Sequence, residues 1–323
     1  MSLSETQIDL LKRFEHGLDP RFPERGRIPA RVLGYGEIST VFEIQADGLE
    51  DLAVKRLPLF REWPEAERYE ATLDAYVGVL TGEVGLRLPR HRHVCFQRPS
   101  GLPVVYILQD KVREDWLCHR VLHRLPSEGV QALVLAVLRH LRKVWDFNAR
   151  QDHMRVAIDG QLSNWAIEGP DLDHLRPEEV SLTYLDTSTP LFRVDGVEQL
   201  DPELFLRSAP SFLSWILRLV FLEDVVDRYY DFRRVVLDLV ANLYKEQRPE
   251  MIPGSLDVAN RYFADEAADL GILPVTEEQV RGYYREDALI WRMYLSMRKV
   301  DRWLRSSLLR REYPYILPDK VLR

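Results

Sequence analysis

Residues 30–57 read "ARVLGYGEISTVFEIQADGLEDLAVKRL", and no other stretch narrows the fold as far. Apolar and polar side chains alternate with period two, and glycines punctuate the runs, which predicts three consecutive antiparallel strands. The first part of the chain is thereby committed to a small sheet. An amphipathic helix over about 4–17 precedes it. After it, "PEAERYEATLDAYVGVL" places Pro64 at a first helical position and Tyr69, Leu73, Tyr76, Val77 and Leu80 at helical spacing. Strand-like segments around 91–97 and 103–112 follow.

From about residue 127 the period changes. Ser127 is a candidate cap for a long helix whose Val130, Leu133, Val134, Val137, Leu138, Leu141, Val144 and Trp145 make one apolar face. The short strand-like pieces "RVAI", "NWAIEG" and "VSLTYLD" come next. Beyond Pro202 the chain reads as amphipathic helix over 211–246, 255–270 and 277–311. The expected class is α+β and bilobal: a β-rich lobe with an N-terminal helix over 1–109, a mainly helical lobe over 110–323, and a joint near 109–114.

The chain is long enough, at 323 residues, to bury a large core, and its net charge of −7 argues against a nucleic-acid partner, which requires a dominant basic surface. Two cysteines, Cys95 and Cys118, give no disulfide framework and suit a reducing compartment. The N-terminal residues lack a signal-peptide pattern, and the most apolar run, "FLSWILRLVFL" at 212–222, is too short to span a bilayer and contains Arg218. A cytoplasmic protein without a membrane partner is expected. Its oligomeric state is left open.

The segment "IDGQLSNWAI", 158–167, has two readings. Asp-Gly between strand-forming residues suits a tight hairpin turn. The same residues place Asp159 five positions before Asn164, after a short strand-like run, which is how a phosphotransferase catalytic loop is laid out. Other features are individually weak. Gly34 and Gly36 could be hairpin glycines, Lys55 in "LAVKRL" a side chain reaching solvent, and Asp186 in "TYLDTS" a strand terminus.

Their order is more informative: a Gly-rich hairpin, a strand lysine, a helix with glutamates, a linker, a long helix, an Asp-x4-Asn loop and a strand-terminal Asp. Over residues 30–245 this order resembles the protein-kinase-like superfold, and its aminoglycoside and choline kinase-like branch more than the eukaryotic protein kinases. The resemblance implies an ATP- and magnesium-dependent phosphotransferase acting on a hydroxyl of a small molecule. By that resemblance Gly34, Gly36 and Ser39 would cover the nucleotide phosphates, and Lys55 would contact them. Glu70, with Glu67 as second choice, would hold Lys55. Gln109 to Val112 would meet the base, Asn164 and Asp186 would bind magnesium, and Asp159 would orient the acceptor hydroxyl and take its proton. A lysine aimed at phosphates is an uncompensated cation while the site is empty, so replacing it is expected to cost little stability.

The chain departs from the family at several positions. Ala157 stands where a histidine is common, Ser39 replaces the third glycine, Thr187 and Ser188 follow Asp186 in place of Phe-Gly, and no Ala-Pro-Glu segment follows. These departures motivate two alternatives: a nucleotide-binding or protein-interaction module without catalysis, and an unrelated α+β domain with an Asp-Gly hairpin.

Other features are assigned plainer roles. His91, His93 and Cys95 alternate on one strand and lack a second ligand pair for zinc. The acidic residues Glu168, Asp171, Asp173, Glu178 and Glu179 read as a solvated insertion. The last helix carries Arg285, Arg292, Arg298, Lys299, Arg302, Arg305, Arg310 and Arg311 beside Trp291, Tyr294, Leu295 and Trp303. Its aromatic side is expected to pack on the domain, with the arginines in water.

Overall fold

The computed structural model describes residues 3–36, 38–168, 172, 175–207, 226–309 and 313–318. The apolar 212–222 run, Asp171, Asp173, Arg310 and Arg311 lie outside the described residues, as does the first part of the helix expected over 211–246. Helix α1 (Glu5–Gly17) starts at Ser4, whose side chain and that of Gln7 form a reciprocal capping box. Five strands follow: β1 (Ala30–Tyr35), β2 (Thr40–Ile44), β3 (Leu52–Leu57), β4 (His91–Gln97) and β5 (Pro103–Asp110). They form one antiparallel sheet in the order β1-β2-β3-β5-β4, with helix α2 (Trp63–Gly82) inserted between β3 and β4.

Both faces of this sheet are covered. Leu11 and Phe14 of α1 pack on Phe42, Val54, Val104, Tyr106 and Leu108. On the other face Ala66, Tyr69, Leu73 and Val77 of α2 pack on Leu57, Val105 and Ile107. Two-sided burial explains why β5 is an unbroken apolar run and does not alternate. It also separates neighbours in "LAVKRL". Lys55 takes the α2 side, whereas Arg56 is buried on the α1 side in an ion pair with Glu15 at 2.7 Å.

The remaining chain is mainly helical. A one-turn helix α3 (Cys118–Val121) precedes α4 (Ser127–Ala149), which is followed by α5 (Glu203–Arg207), α6 (Phe232–Lys245), α7 (Ile252–Asp265) and α8 (Glu277–Trp303). The apolar face expected of α4 is the centre of their shared core. Ser127 is the first helical residue and not the cap, a position held by Pro126. The small sheet and the larger helical part together make an α+β, bilobal fold. No helix among the described residues is long and apolar enough to cross a membrane.

Short strands lie between α4 and α5: β6 (Met154–Val156), β7 (Trp165–Ile167), β8 (Leu182–Tyr184), β9 (Phe192–Val194) and β10 (Val197–Glu198). The pairing of β6 with β9, and of β7 with β8, excludes the hairpin reading of "IDGQLSNWAI". The segment joins two different sheets. The last helix also differs from expectation: Arg298 is buried beneath Tyr294 and Tyr315, whereas Trp303 is 60 % exposed.

Candidate active site

A cleft of about 590 Å³ runs between the sheet and the helical part. Gly34 near the end of β1, Gly36 and Ser39 from the β1–β2 turn, Lys55 from β3, Gln109 from the end of β5, Val112 just beyond it, and Asp159, Asn164 and Asp186 from the short-strand region all line it. Every singled-out residue except Glu70 and its second choice, Glu67, therefore reaches one space. The turn is tight, with the Gly36 amide donating to the Ser39 carbonyl at 2.9 Å. A Cβ at Gly36 would stand 2.8 Å from Ser39 Oγ, while one at Gly34 would meet nothing within 4 Å.

Lys55 Nζ donates to the Leu185 carbonyl at 2.9 Å and to Asp186 Oδ1 at 3.3 Å. The expected lone cation is thus compensated, because β3 lies directly over the segment that follows β8. Gln109 turns inward, and its Nε2 donates to the Leu185 carbonyl at 3.0 Å and to Thr187 Oγ1 at 3.1 Å. Ser188 Oγ donates to Asp186 Oδ1 at 2.7 Å. Thr187 and Ser188, the substitutes for Phe-Gly, hold the Asp186 loop by hydrogen bonds. Burial alone would raise the Asp186 pKa, but Lys55 and Ser188 outweigh it and hold the carboxyl below its usual range.

Asp159 sits in the opposite environment. Burial in the cleft floor and the nearby Asp238 carboxylate push its pKa up to about 7. Its backbone amide donates to the Tyr184 hydroxyl at 3.2 Å, and its Oδ1 accepts from the Gln161 amide at 3.0 Å. The loop carries Ala157 where the sequence resemblance leads one to expect a histidine, and tyrosine and asparagine side chains support it. Tyr76 of α2 donates to the Ala157 carbonyl at 2.8 Å, and Asn148 of α4 both donates to and accepts from the Val156 backbone at 2.8 Å. Gly160 is required by space, because a Cβ there would lie 2.8 Å from Val235 Cγ1.

Sequence reasoning missed the support from α6. Gln161 Nε2 donates to Asp238 at 3.0 Å, and Lys245 Nζ donates back to Gln161 Oε1 at 2.8 Å. Asp238 and Lys245 lie seven residues apart, on one helical face, which is the signal that could have found them. A charged pair at that spacing on a helix ordinarily reads as solvated surface.

Glu70 faces away from Lys55. Its carboxylate lies 3.0 Å from His93 Nδ1 and makes no ion pair with Lys55 among the described residues. The buried face of α2 places Tyr69 towards the cleft, where its hydroxyl donates to the Ser188 carbonyl at 2.8 Å, and leaves Glu70 facing β4. Glu67 makes no ion pair with Lys55 either. His93 is bridged on its other side to Asp74 at 3.0 Å. Among the described residues no group of three or more His, Cys, Asp or Glu could hold a metal.

Asp186 and Asn164 suit a hard cation by their chemistry. Asp186 Oδ2 and Asn164 Oδ1 take no hydrogen bond among the described residues, and both side chains line the cleft. Two oxygen donors of this kind match magnesium, which keeps water and phosphate oxygens as its remaining ligands.

A family model described as "Family of unknown function (DUF6206)" matches residues 24–303. No curated protein matches the chain. Among solved structures, it is similar to WaaP in complex with acyl carrier protein, at 16% identity and a TM-score of 0.31, over 75% of this chain and 96% of that one. It is also similar to the GDP complex of wild-type aminoglycoside 2'-phosphotransferase-IIIa, at 12% identity and a TM-score of 0.34, over 81% of this chain and 100% of that one.

Proposed function

The chain belongs to the family of unknown function DUF6206, and we propose that it is an ATP- and magnesium-dependent phosphotransferase acting on a hydroxyl of a small molecule. The observation that carries this reading is the convergence of Lys55, Asp159, Asn164 and Asp186 on one cleft from three separate chain segments. Phosphoryl transfer relies on positioning and on neutralising dispersed charge, and these side chains supply both functions.

In this reading the Gly34–Ser39 turn lies over the phosphates, and Lys55 moves from Asp186 to contact them. Asn164 and Asp186 hold magnesium, which neutralises phosphate charge when bound. Asp159 accepts a hydrogen bond from the acceptor hydroxyl and takes its proton as transfer proceeds. Its raised pKa suits a group that must be ionised to accept and basic enough to hold the proton. Gln161, tied to Asp238 and Lys245, fixes the loop. The two unpaired cysteines support a cytoplasmic setting.

One observation favours a second reading, a nucleotide-binding module without catalysis. Lys55 is paired with Asp186 while His93 engages Glu70, so the lysine–glutamate pair expected of an active kinase is unmade. Two measurements separate the readings. ATP with magnesium should raise the thermal midpoint under either, by mass action on the native state. Release of ADP in a screen of hydroxyl compounds would occur only with a phosphotransferase. No midpoint shift with any nucleotide would overturn both.

A further inference from the structure

Beside Lys55 the cleft has an apolar slot. Cross-strand register sets Val41 of β2 opposite Lys55 and Ala53 of β3 opposite Gln109, so these four side chains share the cleft face of the sheet. Leu117, just before α3, and Leu185 line the cleft from the helical part. Val41, Ala53, Leu117 and Leu185 are all partly exposed, and together they give a flat, weakly polar ring two walls to lie between. Lys55 follows Ala53 by two residues, about 7 Å along the strand. A base in the slot therefore places its phosphates at the lysine.

Gln109 borders this slot with its amide held one way round. Nε2 donates to the Leu185 carbonyl and to Thr187 Oγ1. A carbonyl only accepts, so turning the amide over would set two acceptors 3.0 Å apart. Oε1 takes no hydrogen bond among the described residues, yet it is not sealed from solvent. The side chain is only 4 % exposed and lines the cleft, so this acceptor opens on the slot. Lys55 shares the Leu185 carbonyl, and its departure to a phosphate leaves Gln109 anchored. We infer that Gln109 is the residue that selects the base, its Oε1 accepting from the 6-amino group of adenine and opposing the 6-oxygen of guanine. The inference rests on the nucleotide-binding reading above and names the atom that makes the choice. Two acceptors facing each other in a half-dry slot lose a hydrogen bond and leave both groups desolvated.

The test is calorimetric titration of the full chain, in magnesium, with ATP, GTP, inosine triphosphate and purine riboside triphosphate. ATP should bind at least ~10-fold tighter than GTP. Inosine triphosphate carries guanine's 6-oxygen without its 2-amino group and should bind as weakly as GTP, while purine riboside triphosphate, with hydrogen at that position, should fall between. Gln109→Leu should shrink the ratio of ATP to GTP affinity at least ~5-fold. If that variant folds poorly, the inosine comparison on the unaltered chain decides the matter. Inosine triphosphate binding as tightly as ATP would assign the choice to the fit of the 2-amino group and overturn the inference. ATP binding no tighter than GTP, or an unaltered ratio in folded Gln109→Leu, would overturn it and leave nucleotide binding in place. Failure of all four nucleotides to bind would overturn the nucleotide-binding reading with it.

Discussion

Asp159 and Asp186 occupy one cleft under opposite influences, and this predicts that equivalent substitutions fail differently. In Asp159→Asn the amide cannot take the acceptor proton, so transfer should fall ~10²-fold or more while magnesium–nucleotide binding persists. Under the proposed function the loss in Asp186→Asn precedes chemistry: Lys55 loses its ionised partner and a bound magnesium would lose a carboxylate, so calorimetric titration should show weakened magnesium-dependent binding. Identical, unperturbed titrations and full activity in both variants would remove the catalytic assignment. Gly160, next to Asp159, is held by packing: its Cβ position is 2.8 Å from Val235, so Gly160→Ala should cost about 1–3 kcal/mol in urea unfolding. A hairpin glycine selected for positive φ would have been sensitive for another reason, and the structure records no positive φ there.

At the scale of elements, strands and helices were legible where one period and one buried face coincided. Three strands over 30–57, α2 and the apolar face of α4 follow from local pattern. The orientation of α2 was less legible, because helical spacing names the buried face without saying what each flanking residue meets. Glu70 therefore reads as a lysine partner in sequence and pairs with His93 in the fold. That pairing has a pH consequence. Hydrogen bonding to Glu70, opposed by burial and helped by Asp74, raises the His93 pKa above its unfolded value near 6.5. Stability from this bridge is complete below that value and declines as pH rises through the folded pKa. The surrounding groups, His91, Cys95, Glu67, Glu70 and Asp74, stay in place in His93→Gln, which should flatten the decline in unfolding free energy above pH 6.5. An unchanged slope would assign the dependence elsewhere.

Across the whole molecule, the least legible feature is a contact joining the beginning of the chain to its end. Glu15 in α1, Arg56 in β3 and Tyr106 in β5 meet inside the sheet's covered face, and Arg56 Nη1 also donates to the Pro314 carbonyl at 2.7 Å. No local pattern announces it, since a charged residue on a strand or an amphipathic helix ordinarily faces water. Tertiary burial alone decides otherwise, and Tyr313, Tyr315, Ile316 and Leu317 bury the terminal segment beside the pair. Burial by itself would raise the Glu15 pKa, but Arg56 and the Tyr106 hydroxyl more than reverse this and lower it. The stability so gained is present above the unfolded carboxyl value and is lost as pH falls through the lower folded value. Glu15→Gln leaves Arg56 buried without its counter-charge and should cost about 3–5 kcal/mol. Removing both charges, in Glu15→Leu/Arg56→Met, should recover most of that loss, because the desolvation cost disappears with the pair. Urea unfolding of the single and double variants checks the coupling, and a double variant no more stable than Glu15→Gln would show that the contact holds the terminal segment by shape and not by charge.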